Sequence, residues 1–398
     1  MELSKRAGSI QDSPIRKLYS VALKAKEKGI SIYHLNIGQP DIQTPPVFYE
    51  AIRSYTENVL SYGPSDGLIS LKDAMIDYFK RYSIELEHEN ITITYGGSEA
   101  VSFAFNIIGD PGDEILIPEP FYTNYNGYAT LSDLKIVPIP TKSETGFHLP
   151  DESEILKRIT ERTRAILLCS PNNPTGTIFS EDEIRMIGKI ARENDLFIIS
   201  DEVYKEFTYD GEKHFSTLEL EDARDRVIVV DSISKRYSSC GARIGAFISR
   251  NSKVMNAALK FAQARLCPPT LEQLGATAAY KLPQSYFKSI LSEYQSRRDT
   301  LFEVLTSSGE IVIRKPEGAF YIMAKLPVDN SDDFAKWMLE DFSLDNETVM
   351  VAPGEGFYST SGMGSQEIRI AYVLESEKLK KAGKILLEGI KEYNNLKR

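Results

Sequence analysis

Several polar residues in the middle of the chain stand where apolar runs stop. "VIVVD" (227–231) has the look of a buried strand, yet it continues into "SISKRYSSCGARIG", which presents Ser232, Lys235 and Arg243. "LFIIS" is followed by Asp201, and "AILLCS" runs into "PNNPTG", with Asn173 in the turn. In open α/β sheets ligands bind beyond the carboxyl ends of the strands. An amide, a carboxylate, a hydroxyl and an ammonium are therefore expected to meet in one crevice. A lone lysine after a strand is usually just solvated, so the reading depends on the company Lys235 keeps.

"ITITY" gives way to "GGSEAVSFAFNII", a glycine turn opening into a helix. Its first amides, at Gly97, Ser98 and Glu99, suit an anion. Ser232 and Arg243 add a hydroxyl and a guanidinium, which strengthens the case for a phosphate dianion. Asp201 has two roles open to it. It can cap a helix at "DEVYKEF", or it can pair with a protonated heteroaromatic nitrogen. Such a pair gains on the order of 4 kcal/mol at an effective dielectric near 20, enough to keep a pyridine protonated at neutral pH. A lysine taken out of water beside other cations loses its proton and attacks aldehydes. A phosphate seat, a carboxylate for a ring nitrogen and a reactive amine together specify pyridoxal 5'-phosphate.

The elements that must position these groups are visible as well. Between about residues 91 and 232, short β-branched runs alternate with helical patterns, which implies a mainly parallel sheet covered on both faces. Ser180 and Glu183 form a capping box for a helix carrying Ile184, Ile187, Ile190 and Ala191. "SPIRKLYSVALKAKEKG" is expected to be helical from Pro14, with Ser13 as its cap and Gly29 as its stop; Ile15, Leu18, Ala22 and Ala25 share one face. After about residue 285, long charged helices alternate with short strands such as "AFYIMAK" and "EIRIAYV", the texture of a smaller α+β domain.

The totals set limits on function. A chain of 398 residues, 42% hydrophobic and 26% charged, exceeds what one core usually serves, so two domains are expected. A formal charge of -10 argues against nucleic acid as a partner. There is no apolar run long enough for a membrane span and no apolar stretch near the start that would export the chain. Cys169, Cys240 and Cys267 are an odd count without metal or redox spacing, which suits a reducing compartment, the cytoplasm. His34, His88, His148 and His214 offer no metal-ligand spacing, and no metal is expected.

With these residues in place, the chain resembles the class I/II pyridoxal-phosphate aminotransferases, the aspartate aminotransferase-like group, over nearly its whole length. "SISKRYSSCGARIG" resembles the family's lysine signature, "SPNNPTG" its asparagine turn and "SDEVYKEF" its aspartate-tyrosine strand; "YGPSDGL", "PEGAFY" and "EIRIAYV" follow in the expected order. The resemblance implies that fold, with a large cofactor domain over residues 46–285 and a small domain from 1–45 and 286–398. It implies that Lys235 bonds the cofactor's aldehyde, Asp201 pairs with the pyridine nitrogen, Asn173 and Tyr204 bond the phenolic oxygen, and Tyr122 stacks on the ring. The phosphate falls to the Gly97–Glu99 turn, Ser232 and Arg243, with Tyr62 reaching in from the other subunit of a homodimer. Gly38 and Arg369 are implied for the substrate α-carboxylate, although an arginine on a strand such as "EIRIAYV" also fits an ordinary rim position.

The implied reaction is ping-pong transfer of an amino group from an L-amino acid, best matched to aspartate, onto 2-oxoglutarate. Alanine and aromatic donors stay open, as does a carbon-sulfur β-lyase on the same cofactor. A ligand-sensing regulator would need a DNA-binding extension, and few residues precede Ser13. One subgroup of aspartate aminotransferases reads the distal carboxylate with a lysine after the double glycine. Here that position is Ser98, and Arg265, in "FAQARLCPP", is the alternative considered.

Overall fold

A computed structural model describes residues 2–11 and 13–397. Strand β1 (Ser31–His34) stands apart from the main sheet. The strands β2 (Ile91–Thr94), β3 (Glu114–Glu119), β4 (Lys135–Pro140), β5 (Thr163–Cys169), β6 (Phe197–Asp201), β7 (Val227–Ser232) and β8 (Gly245–Ile248) form one seven-stranded sheet in the order β2-β8-β7-β6-β5-β3-β4. Strand β8 runs antiparallel to both neighbours and every other pairing is parallel. Successive residues feed opposite cores: Ile166 and Leu168 pack on one face, Ala165 and Leu167 on the other. Burial on both faces is why these strands read as unbroken apolar runs.

Two strands of this sheet escape the apolar-run pattern. β4 lies at the edge, where Pro138 and Pro140 can be accommodated, and β8 is a four-residue piece opening on Gly245. The C-terminal part holds β9 (Val312–Ile313), β10 (Tyr321–Lys325), β11 (Glu347–Met350), β12 (Ala352–Pro353) and β13 (Glu367–Ala371). Of these, β12, β13, β10 and β9 make an antiparallel sheet, while β11 pairs in parallel with β1. The helices Tyr286–Thr306 and Ser376–Leu396 share a core with these strands.

The first long helix begins later than its sequence suggests, at Tyr19, and runs to Glu27 with no side-chain cap. Residues 13–18 form turns instead, with the amides of Arg16 and Lys17 both donating to Ser13 O. The carbonyl of Ile15, which a helix would offer to Tyr19, accepts from Asn36 Nδ2 at 2.8 Å, and the Tyr19 amide turns to Arg16 O. A tertiary hydrogen bond thus outcompetes the first helical turn. The stop at Gly29 is as expected, with φ at +82°.

The capping box at Ser180 forms, and it does more than end a helix. Glu183 accepts from the Ser180 and Leu149 amides and from His148 Nδ1, and His148 Nε2 reaches Glu317. Glu317 O–C–O in turn accepts from the Ile178 amide, and the amides of Glu317 and Gly318 donate to Gly176 O. These contacts dock "PEGAFY" onto "PNNPTG", fixing Tyr321 relative to Asn173.

Hydrogen bonds to the two glutamates hold His148 protonated up to about 10. A raised folded-state value contributes stability that is complete below the unfolded value of about 6.5 and fades as pH climbs toward 10. The His148 side chain is 33% exposed, so solvent screening trims the effect. The urea midpoint should therefore fall between pH 6 and pH 9.5, and His148→Asn should flatten that fall. An unchanged slope in the variant would remove His148 as its source.

Candidate active site

The carboxyl ends of β5, β6 and β7 lie side by side, as their order in the sheet requires. They open on a cavity of about 450 Å³. Asn173, Asp201, Tyr204, Ser232, Lys235, Arg243 and Arg369 all line it, together with Gly38, Gly97, Ser98 and Tyr122.

One end of the cavity is built for negative charge. The helix Gly96–Ile108 starts straight after β2 and the single residue Tyr95, and the amides of Gly96, Gly97 and Ser98 in its first turn have no intrahelical acceptor, whereas that of Glu99 falls to the Tyr95 carbonyl. Strand β8 passes hard against this helix start: a Cβ on Gly245 would lie 2.4 Å from the Gly96 carbonyl carbon. Arg243, itself at φ +55°, crosses beside it and donates to Cys240 O at 2.8 Å. Ser232 caps the helical turn Ile233–Arg236 by accepting from the Ser234 amide.

That turn carries Lys235, and its neighbour anchors it. Arg236 is fully buried in ion pairs with Asp231 at 2.8 Å and Glu206 at 2.7 Å. Lys235 therefore projects from a fixed base into the cavity, where its Nζ donates to Gly38 O at 2.8 Å and sits 3.8 Å from Cys240 Sγ. Gly38 has to be glycine, because a Cβ there would overlap the Tyr321 hydroxyl.

Asp201 marks the opposite polarity. No helix follows it, since residues 203–206 form turns, and what remains of the capping role is local: Asp201 Oδ1 accepts from the Val203 amide at 3.4 Å. Its carboxylate accepts from Tyr125 Oη at 2.7 Å and, among the described residues, has no cation at salt-bridge distance. Burial pushes it up to about 6, against the opposing pull of the Tyr125 hydroxyl. A carboxylate in this state favours an incoming cation.

Arg369 is no rim residue: it is 1% exposed and faces the cavity. Its guanidinium donates to Asn173 Oδ1 at 3.0 Å and to Asn36 O, stacks on Tyr321, and keeps a buried Nε without an acceptor. Desolvation lowers its pKa, and an anion would relieve that cost. Tyr204 Oη bonds Tyr321 Oη at 2.8 Å, and Tyr122 packs edge-on to Tyr125.

Three expected residues stand elsewhere. Glu99 does not line the cavity: its carboxylate accepts from the Tyr95 amide and pairs with Arg265 at 3.2 Å. Arg265 does not line the cavity of its own chain, where it pairs with Glu99 and donates to Ile93 O at 2.9 Å. Tyr62 is 81% exposed and outside the cavity of its own chain. Conversely, Tyr125, Tyr128 and Arg16 line the cavity without having been singled out from sequence. Tyr125 could have been found from "FYTNY", whose spacing puts it one turn beyond Tyr122.

Comparisons with known proteins agree with this geometry. The sequence model described as "Aminotransferase class I and II" matches residues 30–386. The aspartate aminotransferase of Bacillus subtilis (strain 168) is 31% identical over 404 residues, covering 99% of each chain. Among solved structures, alanine aminotransferase from Pyrococcus furiosus superposes with a TM-score of 0.89 at 33% identity, over 98% of this chain and 100% of the other. Aspartate aminotransferase from Thermus thermophilus with maleate gives a TM-score of 0.88 at 28% identity, over 98% and 100%. With the fold, the strand-end cavity and these relatives in agreement, the chain belongs to the class I and II aminotransferases and is an enzyme of that kind.

Proposed function

We propose that the enzyme transfers the amino group of an L-amino acid, with aspartate the favoured donor, to 2-oxoglutarate, using pyridoxal phosphate held in the strand-end cavity. The observation that carries this reading is the opposed polarity of one enclosure. An anion seat at Gly97, Ser98, Ser232 and Arg243 shares the cavity with a buried carboxylate, Asp201, that has no cation among the described residues, and Lys235 lines the same space. A planar cationic ring with a phosphate arm fits that arrangement. Asn173 and Tyr204 would bond its phenolic oxygen and Tyr122 would cover its face.

When bound, pyridoxal phosphate supplies an aldehyde that condenses with amines and a ring that accepts the electron pair left by a departing α-proton. Lys235 Nζ would be the base that takes the α-proton and returns it one carbon further along. Asp201 would keep the ring nitrogen protonated, an effect that grows as charge develops. Arg369, beside Asn173 and Gly38, orients the substrate through its α-carboxylate.

Residues 46–285 would form the cofactor domain and residues 1–45 with 286–398 the small domain. Val59, Leu60 and Tyr62 are exposed together, which suits a homodimer in which Tyr62 reaches the partner's phosphate seat. Three free cysteines fit a cytoplasmic setting. Among the described residues no helix is long and apolar enough to cross a membrane.

The test is the half-reaction. Protein loaded with pyridoxal phosphate is mixed with one amino acid at a time, without oxo acid, and followed by absorbance. Aspartate should convert one cofactor equivalent and stop, and 2-oxoglutarate should restore the starting spectrum. Continued turnover with release of the side chain would instead establish a β-lyase, and preference for alanine or aromatic donors would displace aspartate.

A further inference from the structure

The cavity walls carry four cations, Arg16, Lys235, Arg243 and Arg369, against one carboxylate, Asp201, among the described residues. On the reading above, Lys235 is the reacting amine, Arg243 meets the phosphate and Arg369 meets an α-carboxylate. Arg16 is then a surplus positive charge. Its guanidinium is exposed and makes no hydrogen bond or salt bridge to a described residue.

Arg16 is also held in place. The turns of residues 13–18 are fixed by Asn36 Nδ2 on the Ile15 carbonyl. The preceding residues are tied to the helix Asn124–Leu131 and its end through Asn126 Nδ2 to Gln11 at 2.9 Å and Arg6 to Asp133. That helix lines the cavity through Asn124, Tyr125 and Tyr128, so this strap and the helix face the same space. Ile15 and Ile37 are apolar wall beside Arg16, which suits a short methylene chain ending in an anion.

We infer that Arg16 receives the side-chain carboxylate of a dicarboxylic amino acid or oxo acid, and so sets the enzyme's preference for diacids. This rests on the dicarboxylate reading of the substrate. A guanidinium–carboxylate contact at a half-open site discriminates by about 10- to 100-fold.

The experiment is single-turnover kinetics of the cofactor-loaded protein with aspartate, glutamate and alanine, in wild type, Arg16→Gln and Arg16→Lys. The aspartate-to-alanine ratio of kcat/KM should fall about 10- to 100-fold in Arg16→Gln, through weaker binding more than through the limiting rate. Arg16→Lys should recover part of it. A wild-type enzyme with no preference for diacids over alanine would overturn the dicarboxylate reading and this inference together. A wild type that prefers diacids, with the ratio kept in Arg16→Gln, would overturn the role of Arg16 alone. So would an equal loss for all three substrates, which would mark Arg16 as a support of the strap.

Discussion

Lys235→Ala is expected to slow the half-reaction with any amino acid by about 10⁴-fold or more, roughly 5.5 kcal/mol of barrier. The size follows from the two duties proposed for Lys235, which would be lost together: the covalent hold on the aldehyde and the proton transfer at the α-carbon. The fold should be spared, because the turn is anchored by Arg236 on Asp231 and Glu206 rather than by Lys235. Cofactor should still enter, since Gly97, Ser232, Arg243 and Asp201 remain. Borohydride treatment followed by peptide mapping should then find cofactor fixed to the peptide containing Lys235 in wild type and to none in the variant. A variant that turns over within tenfold of wild type would strip Lys235 of both duties.

Asp201→Asn should cost about 10³-fold in rate, close to 4 kcal/mol, the value of a carboxylate–cation contact at an effective dielectric near 20. Saturating cofactor should still fill the site. Tyr125→Phe removes one donor to the same carboxylate at 2.7 Å, and a loss of about tenfold is expected. The pH dependence carries its own sign. In the cofactor-free protein Asp201 titrates at about 6, raised first by burial. A cationic ring binds the ionised form, so affinity for cofactor should weaken as pH drops below 6, and this limb should vanish in Asp201→Asn. Equal rates for wild type and Asp201→Asn, both fully loaded, would end the electron-sink argument.

Much of the cavity was legible in the chain because chemistry sits where apolar runs end. Asp201, Ser232, Lys235 and Asn173 each follow a strand whose continuous burial marks it in sequence, and their adjacency follows from neighbouring strands. What escaped depends on contacts remote in sequence. Arg16 lies on a segment whose periodicity argues for a helix, and only the Asn36 side chain on the Ile15 carbonyl turns it aside. Arg265 looked available until Glu99, 166 positions earlier by their numbers, was seen to hold it. Strand β4 carries two prolines that a central strand would refuse, and only its place at the edge explains them.

The diverted carbonyl of Ile15 has an outcome beyond helix length. It turns a short, continuous stretch toward the cavity, where Ser13, Ile15 and Arg16 are part of the wall, and leans it on Asn36, whose own carbonyl accepts from Arg369. On the role inferred for Arg16, replacing one side chain on this stretch retunes donor choice, while the turn of Lys235 keeps its anchor in Arg236 and Asp201 its bond from Tyr125.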